Sequence, residues 1–370
     1  MKVLIKAPLS PFTGYGNDGI GMAQAFIRAG ADVYVEPTVI QSPVPQDVAN
    51  LLTKRLEQPF DLYINHVDPM ILEGSDDHRL ASRMMIGWTM WEFSDFGNME
   101  GTEDLRKRIK NFDAVVGYDQ ITVDGFEPYY DGPRLAIQGG YDPDNWPELE
   151  RDWDEENFYF CMVGMLGQRK NPFAAVRAFS ELKEEHEDFN KHARLSLKTM
   201  QPGVLHSKME EVYPGLRIYY DVWSEDVLLQ FYKSQHVLLA PSRGEGKNMP
   251  ALEFQSTGGV VVASDWGGHQ QWLNPEYNYP VKVDLVPLDA QHPDTLWAEV
   301  DIEDLKRIML HLFRNRNEAK EKGKMAASVI PAMASWDKVI ERLMANLQEL
   351  PGGQELWNSW SMRGMKNADN

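Results

Sequence analysis

The stretch Pro241-Ser242-Arg243-Gly244-Glu245-Gly246-Lys247-Asn248-Met249-Pro250-Ala251-Leu252-Glu253 decides how the rest of this chain is read. It sets one carboxylate, Glu245, between two glycines. A second, Glu253, follows eight positions later, past a proline suited to the first turn of a helix. The apolar run Val260-Val261-Val262-Ala263 comes next, then a second glycine pair, Gly267-Gly268. Glu245 therefore falls in a loop and Glu253 in the first turns of a helix. The backbone N–H groups between them point outward at the positive end of the helix dipole, which suits a phosphate. Carboxylates accept hydrogen bonds from diols. Two of them flanking a diphosphate cradle make a site for a nucleotide-activated sugar. Either glutamate alone reads as a solvated surface residue, but the complete string does not.

Outward from that string, short apolar runs alternate with helical spacing. Strands are predicted at Val3–Ala7, Asp32–Val35, Leu62–Asn65, Met85–Trp88 and Ala114–Gly117, with a helix over Ile20–Arg28 after the glycine-rich loop Thr13–Gly19. The acidic segment 144–157 breaks the pattern and reads as an interdomain linker. A second series follows, with strands at Phe158–Val163, Leu195–Lys198, Leu216–Tyr220, His236–Ala240 and Val260–Ala263. Asn171 reads as the N-cap of a helix running from Pro172 to about Glu185, and Ser224 as the cap of the helix before His236. Later helices are predicted at Ile302–Arg314, Ala319–Ala332 and Trp336–Leu350. Strand-helix alternation with apolar strands predicts doubly wound, parallel α/β domains. The expected division is 1–150 for the first domain and 151–350 for the second.

The string Glu-Gly-Lys-Asn-Met-Pro-Ala-Leu-Glu resembles the E-x7-E motif of retaining GT-B glycosyltransferases, above all glycosyltransferase family 4. Further segments are similar to the family along most of the chain: Ile86–Glu92, Gln138–Asp142, Trp297–Asp301 and Ser335–Val339. The resemblance implies an α/β GT-B architecture, two doubly wound Rossmann-like domains facing each other across a cleft, with the tail 351–370 packing back on the first. It implies that Glu245 contacts the transferred sugar and Glu253 the ribose. Gly14 and Gly16 resemble the glycine loop that approaches the donor phosphates, and Gly246, Lys247, Asn248 and Met249 fall on the phosphate-binding turn. In Val163–Asn171, Lys170 stands on the family's lysine, which neutralises the leaving diphosphate, whereas Met165 stands on its arginine. Arg169 and Arg243 are the nearest substitutes. In Gly267–Gln271 the family's glutamate is replaced by Gln271, which bears on sugar specificity. Glu92 is the candidate for orienting the acceptor, with His66 as the alternative.

Composition bounds the rest. A chain of 370 residues suffices for two cores, and 43% hydrophobic with 25% charged residues is ordinary for a globular protein. A formal net charge of −19 opposes contact with duplex DNA or an anionic membrane. The single cysteine, Cys161, lies in an apolar run and excludes an internal disulfide, which fits a reducing cytoplasm. No apolar run reaches spanning length, and Met1–Pro8 is too interrupted for a signal peptide. The Asp-x-Asp triplets at 142–144 and 152–154 lie in or beside the linker, so no metal is expected. The expectation is a soluble, cytoplasmic, metal-independent glycosyltransferase. It moves a sugar from a nucleotide sugar to a hydroxyl of a glycan, a protein or a modified nucleic-acid base. Met165 and Gln271 motivate the alternative, a weakly catalytic accessory subunit of the same fold. A phosphorylase is disfavoured by Glu253.

Overall fold

The computed structural model describes residues 1–97, 99, 101–200 and 209–367, with side chains through 361. The chain divides into two compact units. The first contains strands β1 (Lys2–Leu9), β2 (Asp32–Ile40), β3 (Phe60–His66), β4 (Ser82–Thr89), β5 (Ala114–Gly117) and β6 (Arg134–Ala136), all parallel in the order β2-β1-β3-β4-β5-β6. Alternation along the strands supplies a core on each face. Val3, Ile5, Ile86 and Val116 pack with the helices Gly14–Arg28 and Trp336–Gln348. Leu4, Tyr63, Met85 and Val115 pack on the opposite side with Leu105 and Phe126. Strands buried on both faces read as continuous apolar runs, as this sequence does.

The second unit repeats the plan. Strands β7 (Phe158–Val163), β8 (Ala193–Thr199), β9 (Leu216–Tyr220), β10 (Val237–Ala240), β11 (Val260–Ser264) and β12 (Tyr279–Val281) form a parallel sheet in the order β12-β11-β10-β7-β8-β9. An antiparallel pair, β13 (Val283–Pro287) with β14 (Leu296–Val300), forms a separate two-stranded sheet in this unit. No helix among the described residues is long and apolar enough to cross a membrane.

The structure differs from the sequence reading in four places. The first helix begins at Gly14 rather than Ile20, because Thr13 Oγ1 accepts from the Gly16 N–H at 3.2 Å and caps it there. Gly14 and Gly16 are thus first-turn residues, and a Cβ on Gly16 would stand 2.5 Å from that of Ser10. Asn171 stands at the N-cap position of the helix Pro172–Glu185 but adopts the left-handed conformation at φ 51°, and its side chain makes no capping hydrogen bond. Its amide donates instead to Glu299 Oε1 at 2.9 Å. The acidic segment 144–157 is no loose linker. Trp146 and Trp153 are buried, and Arg151 donates to the carbonyls of Gln235 at 2.8 Å and Tyr232 at 3.3 Å. The units divide between Asp142 and Pro143, and the chain returns to the first unit at Met333, well before 351, with a brief earlier visit at Asp289–Thr295. The return is driven by Trp336, which is buried 6.0 Å from Trp88 and fills the space that Gly21 and Gly140 leave open.

Candidate functional site

In the second unit the C-terminal ends of β7, β10 and β11 carry the three loops that the sequence singled out, where ligands of doubly wound sheets bind. The loops are tied by main-chain bonds. Arg243 N–H donates to Arg169 O at 2.7 Å, and Gly268 N–H donates to Glu245 O at 2.7 Å. At the centre sits Glu245, 4% exposed. Lys170 Nζ lies 2.6 Å from its Oε1 and Arg169 Nη1 donates to Oε2 at 3.0 Å. Burial opposes ionisation of this carboxyl, but Lys170 and then Arg169 outweigh it and hold its pKa well below the usual range. Glu245 is therefore a permanent anion clamped between two cations.

Glu253 is the opposite case. It lies in the helix Met249–Ser256, 6% exposed, and Tyr232 Oη donates to its Oε2 at 3.0 Å. Burial raises its pKa to about 7, against the lowering effects of the Tyr232 bond, Lys247 and Lys198. Lys198, at the end of β8, is itself buried and its pKa is lowered, chiefly by burial. Its Nζ stands 5.3 Å over the ring of Trp223.

Gly246, Lys247, Asn248 and Met249 form the turn between the two carboxylates. Asn248 adopts the left-handed conformation, φ 64° and ψ 68°, which redirects the chain into the helix. Trp272 Nε1 donates to Lys247 O at 2.8 Å, fixing the turn from beneath. Lys247 and Asn248 are 5% and 7% exposed, so this turn is lodged in the protein rather than solvated.

The structure joins Lys170, Arg169 and Glu245 into one cluster. Arg243 belongs to a neighbouring one. Its Nε donates to Glu299 Oε2 at 2.7 Å, and its guanidinium lies 4.9 Å from the centre of the Trp297 ring. Glu299, which also receives the Asn171 amide, holds both loops and was not singled out from sequence. Met165 is 52% exposed. Gln271 ends the short 3₁₀ turn Gly267–Gln271, half-buried. Sequence reasoning also passed over Tyr232, Lys198 and His269. The one signal available for Tyr232 was an aromatic three residues before Gln235-His236, where the next strand was expected to begin.

Gly14, Gly16 and Glu92 belong to the first unit. Tyr15 Oη lies 2.9 Å from Thr89 Oγ1 and donates to Met90 O at 2.8 Å, pinning the first helix to the end of β4. Burial raises the Tyr15 pKa, with Asp68 and Glu92 adding to it, so the phenol stays protonated. Glu92 follows β4 and is half-buried. His66 is fully buried. Its Nδ1 meets Trp88 O at 2.9 Å, and its Nε2 faces Tyr118 Oη at 3.4 Å and Asp18 Oδ2 at 3.8 Å. Cys161 is also buried, and burial raises its pKa far above that of a reactive thiol. Among the described residues no group of three or more His, Cys, Asp or Glu is placed to hold a metal ion.

Residues 157–296 match the family described as glycosyl transferases group 1. No curated protein matches the chain in sequence. Solved structures share its fold along nearly its whole length. Sucrose-phosphate synthase (tll1590) from Thermosynechococcus elongatus aligns at 13% identity over 93% of this chain and 97% of that one, with a TM-score of 0.65. WaaG, a glycosyltransferase involved in lipopolysaccharide biosynthesis, aligns at 12% identity over 92% and 98%, TM-score 0.63. Anabaena Alr3699/HepE, solved in complex with UDP-glucose, aligns at 12% identity over 95% and 100%, TM-score 0.61. At such identities the likeness shows the GT-B fold.

Proposed function

We propose that this chain, whose residues 157–296 match the group 1 glycosyltransferases, is a GT-B glycosyltransferase that uses a uridine diphosphate sugar and transfers the sugar to an acceptor hydroxyl with retention. The observation that carries the reading is the buried cluster of Lys170, Arg169 and Glu245 beside the turn 246–249. A leaving diphosphate needs positive charge that is fixed before it arrives. An ammonium has three N–H donors and a guanidinium five, so Lys170 and Arg169 can hold Glu245 and phosphate oxygens together. Arg169 in this position supplies the second cation that Met165 does not. It thereby favours an active enzyme over an accessory subunit.

The roles follow. The N–H groups of the turn and of the helix Met249–Ser256 receive the diphosphate. Glu253, once ionised, accepts from the two ribose hydroxyls through its carboxylate oxygens. Glu245 accepts from hydroxyls of the transferred sugar. The acceptor hydroxyl attacks the anomeric carbon on the face from which the phosphate departs, and its proton passes to that phosphate. No protein nucleophile is assigned. Gly14 and Gly16 serve the donor phosphates, and Glu92 orients the acceptor. The uridine base is suggested by HepE, whose solved complexes contain UDP-glucose and UDP.

The test is a donor screen by thermal shift and nucleotide release with UDP-, GDP-, ADP- and dTDP-sugars, with Lys170→Ala and Glu253→Ala beside the wild type. Stabilisation by UDP compounds alone, lost in both variants, is the expected result. A response to another base overturns the donor assignment, and silence toward every nucleotide sugar overturns the reading.

A further inference from the structure

Asn248 is one of two non-glycine residues with positive φ among those described, and it stands at the centre of the phosphate-binding turn. A side chain in that region costs on the order of 1 kcal/mol or more unless something holds it. What holds it is visible. His269 is fully buried, and its Nδ1 lies 2.9 Å from Ser264 O. A carbonyl oxygen only accepts, so Nδ1 carries the proton. Burial drives the His269 pKa to about 4, with Lys170 and Arg169 lowering it and Glu245 and Ser264 O raising it, so the ring is neutral. Nε2 is then an acceptor, and Asn248 Nδ2 donates to it at 2.9 Å. One carbonyl on β11 fixes the tautomer, and the tautomer fixes which way the Asn248 amide faces.

The support around this chain of bonds is close. A Cβ on Gly268 would stand 2.1 Å from Gly246 O, so the two glycine loops touch backbone to backbone. Gly268 N–H to Glu245 O at 2.7 Å and Trp272 Nε1 to Lys247 O at 2.8 Å flank the His269–Asn248 bond.

We infer that His269 is a positioning residue, a neutral imidazole whose Nε2 locks Asn248 in its left-handed conformation and so aims the turn's N–H groups at the donor diphosphate. The second glycine loop thus serves the diphosphate through the protein, whatever Gln271 does for the sugar. This rests on the proposed donor site, and the two are separable by experiment. If the wild type fails to bind UDP, the donor assignment falls and His269 has nothing to position.

Given UDP binding, the deciding experiment is a cycle read by calorimetry: wild type, His269→Leu, Asn248→Gly, and both together. Leucine fills the space without accepting a hydrogen bond, so H269L is expected to lose about tenfold in UDP affinity. Glycine adopts positive φ without help. Adding H269L to N248G should therefore cost no further affinity, whatever N248G does alone. An equal loss from H269L in both backgrounds overturns the inference, as does no loss in the wild type. A purely structural histidine would lower thermal stability in both backgrounds without this dependence on residue 248. Nitrogen NMR of the wild type gives a second readout that needs no variant. His269 should remain the Nδ1–H tautomer and unprotonated at pH 5.5, and an Nε2–H tautomer refutes the assignment.

Discussion

Replacing Glu253 by glutamine should make the ligand-free protein more stable above neutrality and a poorer binder of its donor. Glu253 ionises near pH 7 in the fold, against 4.5 for an ordinary glutamate. Between those values the folded chain keeps a proton that the unfolded chain releases, so stability falls as pH rises from about 4.5 to about 7. A shift of about 2.5 units corresponds to about 3 kcal/mol, withheld from the fold at pH 8 and absent at pH 4. Glutamine is uncharged throughout and can still accept from Tyr232, so it escapes that cost. The assay is guanidinium unfolding of wild type and E253Q from pH 5 to pH 8, without nucleotide. The variant's relative stability should grow with pH by up to about 3 kcal/mol, and the change across pH cancels any fixed effect of the amide. Calorimetry with UDP-glucose, whose doubly esterified diphosphate has no group that titrates in this range, should show wild-type affinity rising from pH 6 to pH 8 while that of E253Q stays flat and weaker. Parallel stability curves for the two proteins over this range would refute the account of Glu253 as a buried carboxyl waiting for its diol.

Three further outcomes follow from the same site. Lys170→Met removes the nearer cation from Glu245 and should lower kcat by roughly a hundredfold or more. Its effect on UDP affinity should be smaller, as separate measurements of turnover and binding would tell. Tyr232→Phe deletes the hydroxyl that favours ionised Glu253, so the midpoint of the UDP-glucose affinity–pH profile should move up by roughly one unit. An unmoved midpoint means the Tyr232 bond is only structural. Gly268→Ala brings a methyl to 2.1 Å from Gly246 O and should force the two loops apart. Weakened UDP binding with a stability loss of roughly 1–3 kcal/mol is expected from calorimetry and thermal unfolding.

Which parts of this could be seen in the sequence depended on distance along the chain. The segment from Glu245 to Glu253 is one loop and one helix start, and its chemistry is local. Lys170 was found because Val163–Asn171 resembles a family loop that carries a lysine at that position. Glu299 was not found, because its partners Arg243 and Asn171 lie 56 and 128 residues away and nothing in Trp297–Asp301 announces them. Asn171 takes the N-cap position predicted for it, but its side chain acts elsewhere for the same reason. Asparagine before proline looks like a cap, and only the remote carboxylate shows where its amide goes. Tyr232 and His269 are hidden because an aromatic near a strand and a histidine in a glycine loop are usually packing. Their function lies in single hydrogen bonds that no periodicity records. The segment 144–157 misled by composition. Its acidic residues suggested a solvated tether, while Trp146, Trp153 and Arg151 determine where it lies.

The late return of the chain to its first unit bears on how the protein emerges from the ribosome. Residues 1–142 contain every strand of the first sheet, yet that sheet's core includes Trp336, Val339, Ile340, Leu343 and Met344. Through much of synthesis the nascent first unit exposes the apolar groove that this helix will fill, including the gap above Gly21 and Gly140. The second unit, by contrast, has its whole sequence by Ala332 and can close before the first. The order of maturation therefore inverts the order of translation. A nascent chain stalled before residue 333 should hold a finished second unit and an open, chaperone-seeking first unit.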